Sequence, residues 1–375
     1  MSAPRVWLRH AAIRDFRNLE KVDLDFPEAG LALIGENGQG KTNLLEAICY
    51  LEVLRSVRGA RDQDVVRFGE RGFHITLSVR TDGEHELGVG FDSAARRKRV
   101  TRDGTALPRL SDAFGGLPVV MFSPRDIQLI AGAPGERRRY LDIVLALSSR
   151  RYLSALQHYQ SALLRRNAAL RDAARRPGSD DSVAAWEPAL AESGAVITCE
   201  RAQWVREHAA DFARICVTIG EEAEPCMSYH SSLARDGGGD VREALVAALE
   251  RQRTHDIRRG LTHAGPHRDD LNLALAGRDL RAFGSAGQQR TAAIALRMLE
   301  AATLRAGCGL EPILLLDDPF AELDVRRSAR ILELLGNTRL GQVILAVPRD
   351  TDIPPELVRL DRAHIRAGNI TRGAA

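Results

Sequence analysis

The chain has 375 residues, 44% hydrophobic and 27% charged with a net charge of +3, which is ordinary for a globular protein with room for two cored domains. So small a net charge does not by itself argue for nucleic-acid binding, though arginines can still cluster on one face. The five cysteines (Cys49, Cys199, Cys216, Cys226, Cys308) show no metal spacing, no stretch approaches a membrane span, and the N-terminus lacks a leader pattern; a protein of the reducing cytoplasm is expected.

In chain order, residues 6–13 and 19–26 alternate as two strands, and 31–34 read as a short buried strand. After Gly35-Glu-Asn-Gly-Gln-Gly-Lys-Thr42, residues 43–50 read as helix with Leu44, Leu45 and Ile48 on one face. A basic connection at 55–61 leads to short strands at 73–79, 86–91 and 97–102, an antiparallel meander beside the main sheet, then a buried strand at 117–122 and a helix start at 123–126. Leu153, Leu156, Tyr159, Leu163 and Leu170 form one helical stripe; after a polar break at 175–181, Leu190, Ile197, Trp204, Phe212 and Ile215 form another. Without a hook motif, this pair reads as a helical lobe rather than a coiled-coil arm. Residues 232–240 read as a surface loop. Strands at 271–275 and 279–283, a helix at 289–305, a strand at 312–316, a helix at 325–335, a strand at 341–347 and a hairpin from 358–360 and 364–366 complete the chain. The expected fold is α/β: one lobe built from 1–123 and 256–375, with a helical lobe, 124–255, inserted.

The segment 35–42 fits G-x-x-x-x-G-K-[ST], with Gly35, Gly40, Lys41 and Thr42 at the fixed positions. Between a strand and a helix N-terminus, Gly35, Glu36, Asn37, Gly38, Gln39, Gly40, Lys41, Thr42 and Asn43 are expected to cradle the phosphates of ATP. Lys41 reaches the β- and γ-phosphates and Thr42 ligates Mg²⁺. The only lysines are Lys21, Lys41 and Lys98, so a chain that otherwise writes positive charge as arginine keeps a compact ammonium here. The aliphatic run 313–316 delivers Asp317 to hold Mg²⁺ and Asp318 to orient or deprotonate water. Aspartate is one methylene shorter than glutamate, and slow hydrolysis is expected. The plain alternatives are a glycine turn and two solvated acids ending a strand. Ser285-Ala-Gly-Gln-Gln-Arg290 offers a second anion site: Ser285 and Gly287, with Gln288 in the same motif, would cap ATP bound to a partner subunit in an isologous dimer. Taken alone, a serine N-cap is the simpler reading.

These motifs, with Ala321-Glu-Leu-Asp324, resemble ABC ATPases of the chromosome-maintenance type. With Phe122-Ser-Pro124, Arg137-Arg-Arg-Tyr-Leu-Asp142 and Thr262-His-Ala-Gly-Pro-His-Arg-Asp-Asp270, they resemble the RecF family of bacterial recombination mediators across most of the chain. The resemblance implies an ABC-type ATPase lobe and an ATP-dependent homodimer that binds single-stranded DNA and gapped duplex. It implies weak DNA-stimulated hydrolysis, partnership with RecR and RecO in loading RecA, and a part in replication, repair and the SOS response. It places Asp324 at the dimer contact; Arg17 approaches phosphate or DNA, or is a solvated loop arginine. Two departures stand out: no histidine follows the strand at 341–347, and no Mg²⁺-sensing glutamine is identifiable, Gln128 being unassigned. The run 265–270 has no mechanism of its own; a turn with an Arg268–Asp pair is its plain reading. A transporter's nucleotide-binding subunit would be expected to carry that histidine, and a P-loop kinase leaves 285–290 unexplained. Arg55, Arg58 and Arg61, residues 96–99, and Arg137 to Arg139 are candidates for tracking DNA phosphates. Only Tyr140 adjoins them, so base stacking and sequence preference are not expected.

Overall fold

The computed structural model describes residues 6–176, 180–233, 239–320, 325–337 and 341–372. The chain falls into two compact units, Met1–Asp126 with Leu296–Ala375, and Ile127–Ala295.

The first unit contains a sheet ordered Asn369–Arg372, Asp361–Arg366, Gly30–Ile34, Val343–Val347, Ile313–Asp317, Val119–Phe122. Every pairing is parallel except the terminal hairpin. Its last four strands are buried along their whole length, which is why they read as aliphatic runs rather than alternating ones. The hairpin starts at Asp361 rather than 358, because Asp361–Arg366 is drawn onto Gly30–Ile34 as a further parallel strand.

The second sheet of this unit is antiparallel and ordered Leu19–Asp25, Trp7–Phe16, Gly72–Arg80, Glu84–Asp92, Arg97–Arg102, Thr105–Ala106. The first two strands and the meander are therefore one sheet, joined where Trp7–Phe16 pairs with Gly72–Arg80. One face sends Ala11, Ile13, Val22, Leu24, Ile75, Leu77, Val89 and Val100 into a core shared with Leu31, Leu33, Leu44, Leu45 and Ile48. The other face is polar, the alternation of a sheet with one wet side. Gln342 ties the two sheets: its buried amide accepts from Leu8 N–H at 2.8 Å and donates to the carbonyls of Leu8 at 2.9 Å and Pro27 at 2.8 Å.

The second unit is built on the helices Pro134–Ser148, Arg150–Ala173, Glu187–Ile219 and Val241–Arg259. Leu153, Leu156, Tyr159 and Leu170, and Leu190, Ile197, Trp204, Phe212 and Ile215, are buried as their spacing predicts. No described helix is long and apolar enough to cross a membrane. One segment goes unread in the sequence and one local expectation fails. Pro225–His230 is a strand, pairing antiparallel with Asp270–Leu275. Of the strand expected at 279–283 only Asp279 joins that ladder, beside Arg278; Leu280–Phe283 is a helical turn, capped by Asp279, which accepts from Arg281 N–H at 2.8 Å. Because Asp270–Leu275 finds its partner in Pro225–His230, the chain leaves this unit after Ala295, inside the helix Ala286–Cys308, and not at 255/256. Residues 234–238 of the expected surface loop lie outside the described residues.

The run 265–270 is a hub of this unit. Asp270 takes both arms of the Arg137 fork at 2.8 Å. Asp269 accepts from Ser232 N–H at 2.7 Å and from the Tyr229 hydroxyl. Arg268 turns to the Thr262 carbonyl at 3.2 Å rather than to an aspartate. His267 Nε2 lies 2.9 Å from that same carbonyl, which only accepts, so Nε2 carries the proton and Nδ1 accepts from the Tyr159 hydroxyl at 2.6 Å. The imidazole is thus held neutral.

Burial pushes the His267 pKa from 6.5 down to about 4. An unfolded chain binds this proton below pH 6.5 and the folded one only near pH 4, so the stabilisation is complete above the upper value and drains away as pH falls toward the lower. The loss should approach about 3 kcal/mol. Denaturant unfolding as a function of pH checks it: His267→Gln should be less stable at neutral pH and show a shallower decline over that window.

Candidate functional site

The strand Gly30–Ile34 ends at Gly35, whose N–H reaches the Val347 carbonyl at 3.2 Å. A Cβ on Gly35 would stand 2.5 Å from the Ile365 carbonyl oxygen. Gly40, at φ 118°, caps the helix Lys41–Val53 in a conformation that only glycine adopts readily. The outer side of the loop is strapped down. Asn18 donates to Gln39 O at 3.1 Å and accepts from Asn43 Nδ2 at 2.8 Å. The Ala367 N–H donates to Gln39 Oε1 at 2.7 Å and the Gly368 N–H to Gln39 O at 2.8 Å. Gln39 and Asn43, expected to line the cradle, therefore spend their side chains on its frame. The inner side is open: at Gly38 an added Cβ would meet nothing within 4 Å.

Lys41 is buried, its ammonium donating to the carbonyls of Gly35 and, at 3.0 Å, Glu36. Burial pushes its pKa down, while the charges of Asp317 and Asp318 pull it back up. The Thr42 hydroxyl lies 2.8 Å from Asp317 Oδ2 and 3.1 Å from Oδ1. Burial pushes the Asp317 carboxyl up, against the Thr42 hydrogen bond and the Lys41 charge. Half-buried Asp318 sits at φ 47°, its N–H on the Ala346 carbonyl at 2.9 Å. Lys41, Thr42, Asp317 and Asp318 are thus together as the spacing predicted. An open loop at a helix N-terminus, an ammonium satisfied only by neutral carbonyls, and a hydroxyl beside a desolvated carboxylate fit a phosphate chain and a hard divalent cation.

Arg17 does not lie free in its loop. Its guanidinium forks onto Glu46 at 2.9 and 3.0 Å, one helical turn beyond Thr42 and fully buried, and Arg58 joins the same carboxylate at 3.3 Å. The residue that sequence reading missed is Glu46, and the signal was a charge among Leu44, Leu45, Ala47 and Ile48, all buried. The arginine clusters are thinned in the same way. Arg137 is buried on Asp270, Arg58 also holds Asn43 at 2.9 Å, and Arg61 pairs with Asp64 at 2.9 Å. Lys98 turns inward to Asp62 at 2.9 Å and lies 4.9 Å from the Tyr50 ring centroid, leaving Arg96, Arg97 and Arg99 exposed.

In the second unit Ser285 is exposed and caps the helix Ala286–Cys308. Its Oγ accepts from Gln288 N–H at 3.3 Å, and Gln288 Oε1 accepts from Ser285 N–H at 2.9 Å, a reciprocal capping box. Asp324 lies outside the described residues.

A family model described as an AAA domain matches residues 12–104. The chain is 35% identical to the DNA replication and repair protein RecF of Roseiflexus castenholzii, covering 97% of this chain and 99% of that one. It is 40% identical to the RecF of Anaeromyxobacter dehalogenans over 86% of this chain and 87% of that one. Among solved structures, the recombination mediator protein RecF-ATP in the RecFOR pathway superposes with a TM-score of 0.91 at 29% identity, covering 100% of this chain and 99% of that one. The Smc head domain of Pyrococcus furiosus matches at a TM-score of 0.55 and 15% identity over 97% and 95% of the two chains, a likeness of fold alone. The expected ABC-type P-loop ATPase fold, with an antiparallel β subdomain and an inserted helical lobe, is the fold of this chain.

Without Glu46, Arg17 and Arg58 would share a buried gap with no counter-charge. Glu46→Ala should cost about 3–5 kcal/mol of unfolding free energy. Arg17→Ala should cost about 1–2 kcal/mol, because Glu46 keeps its other partners. Denaturant titrations of the two variants measure both, and losses within a few tenths of each other would contradict this ordering.

Proposed function

The chain belongs to the RecF family of DNA replication and repair proteins, and from that membership we propose that it is an ATP-dependent DNA-binding protein of recombinational repair. In this reading it binds single-stranded DNA and gapped duplex as an ATP-induced homodimer, acts with RecR and RecO to load RecA, and supports replication and the SOS response in the cytoplasm. Family membership sets aside the transporter-subunit reading. The observation that carries the proposal is the meeting of Lys41 and Thr42 with Asp317 at the ends of two parallel strands that flank a third.

The loop N–H groups from Gly38 to Thr42 would hold the phosphates of ATP, with Gly35, Glu36, Asn37, Gln39, Gly40 and Asn43 shaping the loop. Lys41 trades two neutral carbonyl acceptors for charged phosphate oxygens. Thr42 and Asp317 would hold Mg²⁺, which offsets phosphate charge when bound. Asp318 orients and deprotonates the attacking water from a short side chain on a left-handed backbone, so hydrolysis is slow and serves as release, with DNA as its stimulus. Ser285, Gly287 and Gln288 act on the partner's nucleotide, and Asp324 contacts the partner subunit.

Retention of gapped duplex DNA by the purified protein tests the switch. ATP should turn retention on, and Asp318→Asn should hold DNA longer; retention that ignores nucleotide removes ATP as the switch. Ser285→Arg should leave ATP binding by the monomer intact and abolish ATP-dependent dimerisation by light scattering. A variant that still dimerises with ATP refutes the composite site.

A further inference from the structure

The register of the antiparallel sheet sets one residue from each of five strands in line across its wet face. Arg14 is paired with Lys21 on one side and His74 on the other, His74 with Gly90, and Gly90 with Arg99. Lys21, Arg14, His74 and Arg99 are all exposed. Among the described residues, Lys21, Arg14 and Arg99 enter no ion pair and no side-chain hydrogen bond.

The neighbouring rows sharpen the pattern. On one side Arg97 faces Asp92, one charge of each sign. On the other come Asp23, Ala12, Thr76, Gly88 and Thr101. Of the acids beside them, Asp25 lies 2.8 Å and Asp23 3.7 Å from the His10 ring. The floor is low: a Cβ on Gly90 would come within 3.0 Å of His74 Nδ1, and one on Gly88 within 2.4 Å of Thr101 Oγ1. Four interstrand steps of ~4.8 Å make the row ~19 Å long.

The geometry points to this row as a phosphate-tracking surface for DNA, an inference that rests on the proposed DNA-binding function. A flat line of cations without paired carboxylates suits a polyanion. An acidic protein partner would ask for aromatic or aliphatic anchors, and the uncharged flanking side chains are alanine and threonine. With no aromatic ring in the row, contact is to backbone phosphate and indifferent to base sequence.

The test is Arg14→Ala/Lys21→Ala/Arg99→Ala in the full chain, binding a mixed-sequence gapped duplex with ATP across roughly 50–200 mM salt. Each phosphate contact contributes about 0.9 to the slope of log K against log salt, so the triple variant should be shallower by about 2.7. Its ATP binding and thermal midpoint should match the wild type, since these exposed side chains enter no ion pair or side-chain hydrogen bond within the described residues. Arg14→Lys/Arg99→Lys should keep the wild-type slope, because counterion release counts charge. An unchanged slope in the triple variant overturns the assignment of this row while the DNA-binding reading stands. Failure of the wild type to bind DNA in any nucleotide state overturns both.

Discussion

The contact between Thr42 and Asp317, 2.8 Å across 275 residues of sequence, exists because one strand comes between two others. Val343–Val347 pairs on one side with Gly30–Ile34 and on the other with Ile313–Asp317, Ala346 facing both Leu33 and Asp317. The outer two strands therefore finish level, two interstrand steps or about 10 Å apart. The glycine turn and the first residues of the loop helix span that gap. A slip of one residue in either pairing would turn Asp317 to the opposite face of the sheet. Full burial of all three strands prevents the slip, since no face is left on which a misplaced carboxylate is solvated.

The charges of this molecule sort by what each cation can satisfy. Arginine does the work of burial: Glu46 is shared by Arg17 and Arg58, and Arg297 holds Asp126 at 2.8 Å and Glu300 at 2.6 Å. A planar fork satisfies several acceptors at once and loses its charge to no environment. Lysine is kept for singular tasks. Lys98 packs over the Tyr50 ring and closes the end of the loop helix by donating to the Leu54 carbonyl and to Asp62. Lys41 donates to two neutral loop carbonyls, with Asp317 and Asp318 acting on it through charge. An anion at that loop improves its partners; at Arg17, Arg58 or Arg297 it would have to displace a carboxylate.

Where the sequence was legible, local pattern and long-range partner agreed. The loop pattern and the aliphatic strands carry their meaning in adjacent residues, and the helical stripes from Leu153 to Ile215 needed only period. Failures fell where a distant partner decides. Residues 225–230 become a strand only because Asp270–Leu275 supplies the other half of the ladder. Leu280 to Phe283 fit either period, and the Asp279 cap tips them to helix. Arg137 looked like part of a basic surface until Asp270, 133 residues away, claimed its fork. The cationic row needs five strands in register, which no linear pattern displays.

Two readings of Ser285, helix cap and phosphate donor in a partner's site, use different parts of one hydroxyl. The cap uses a lone pair, accepting from Gln288 N–H at 3.3 Å, which is long for such a bond. The hydroxyl hydrogen has no acceptor among the described residues. Gln288 meanwhile occupies the Ser285 N–H at 2.9 Å, fixing the backbone on which that hydrogen is presented. Capping therefore does not compete with donation to an anion. It holds the exposed serine at the mouth of a 23-residue helix, with one donor still to place.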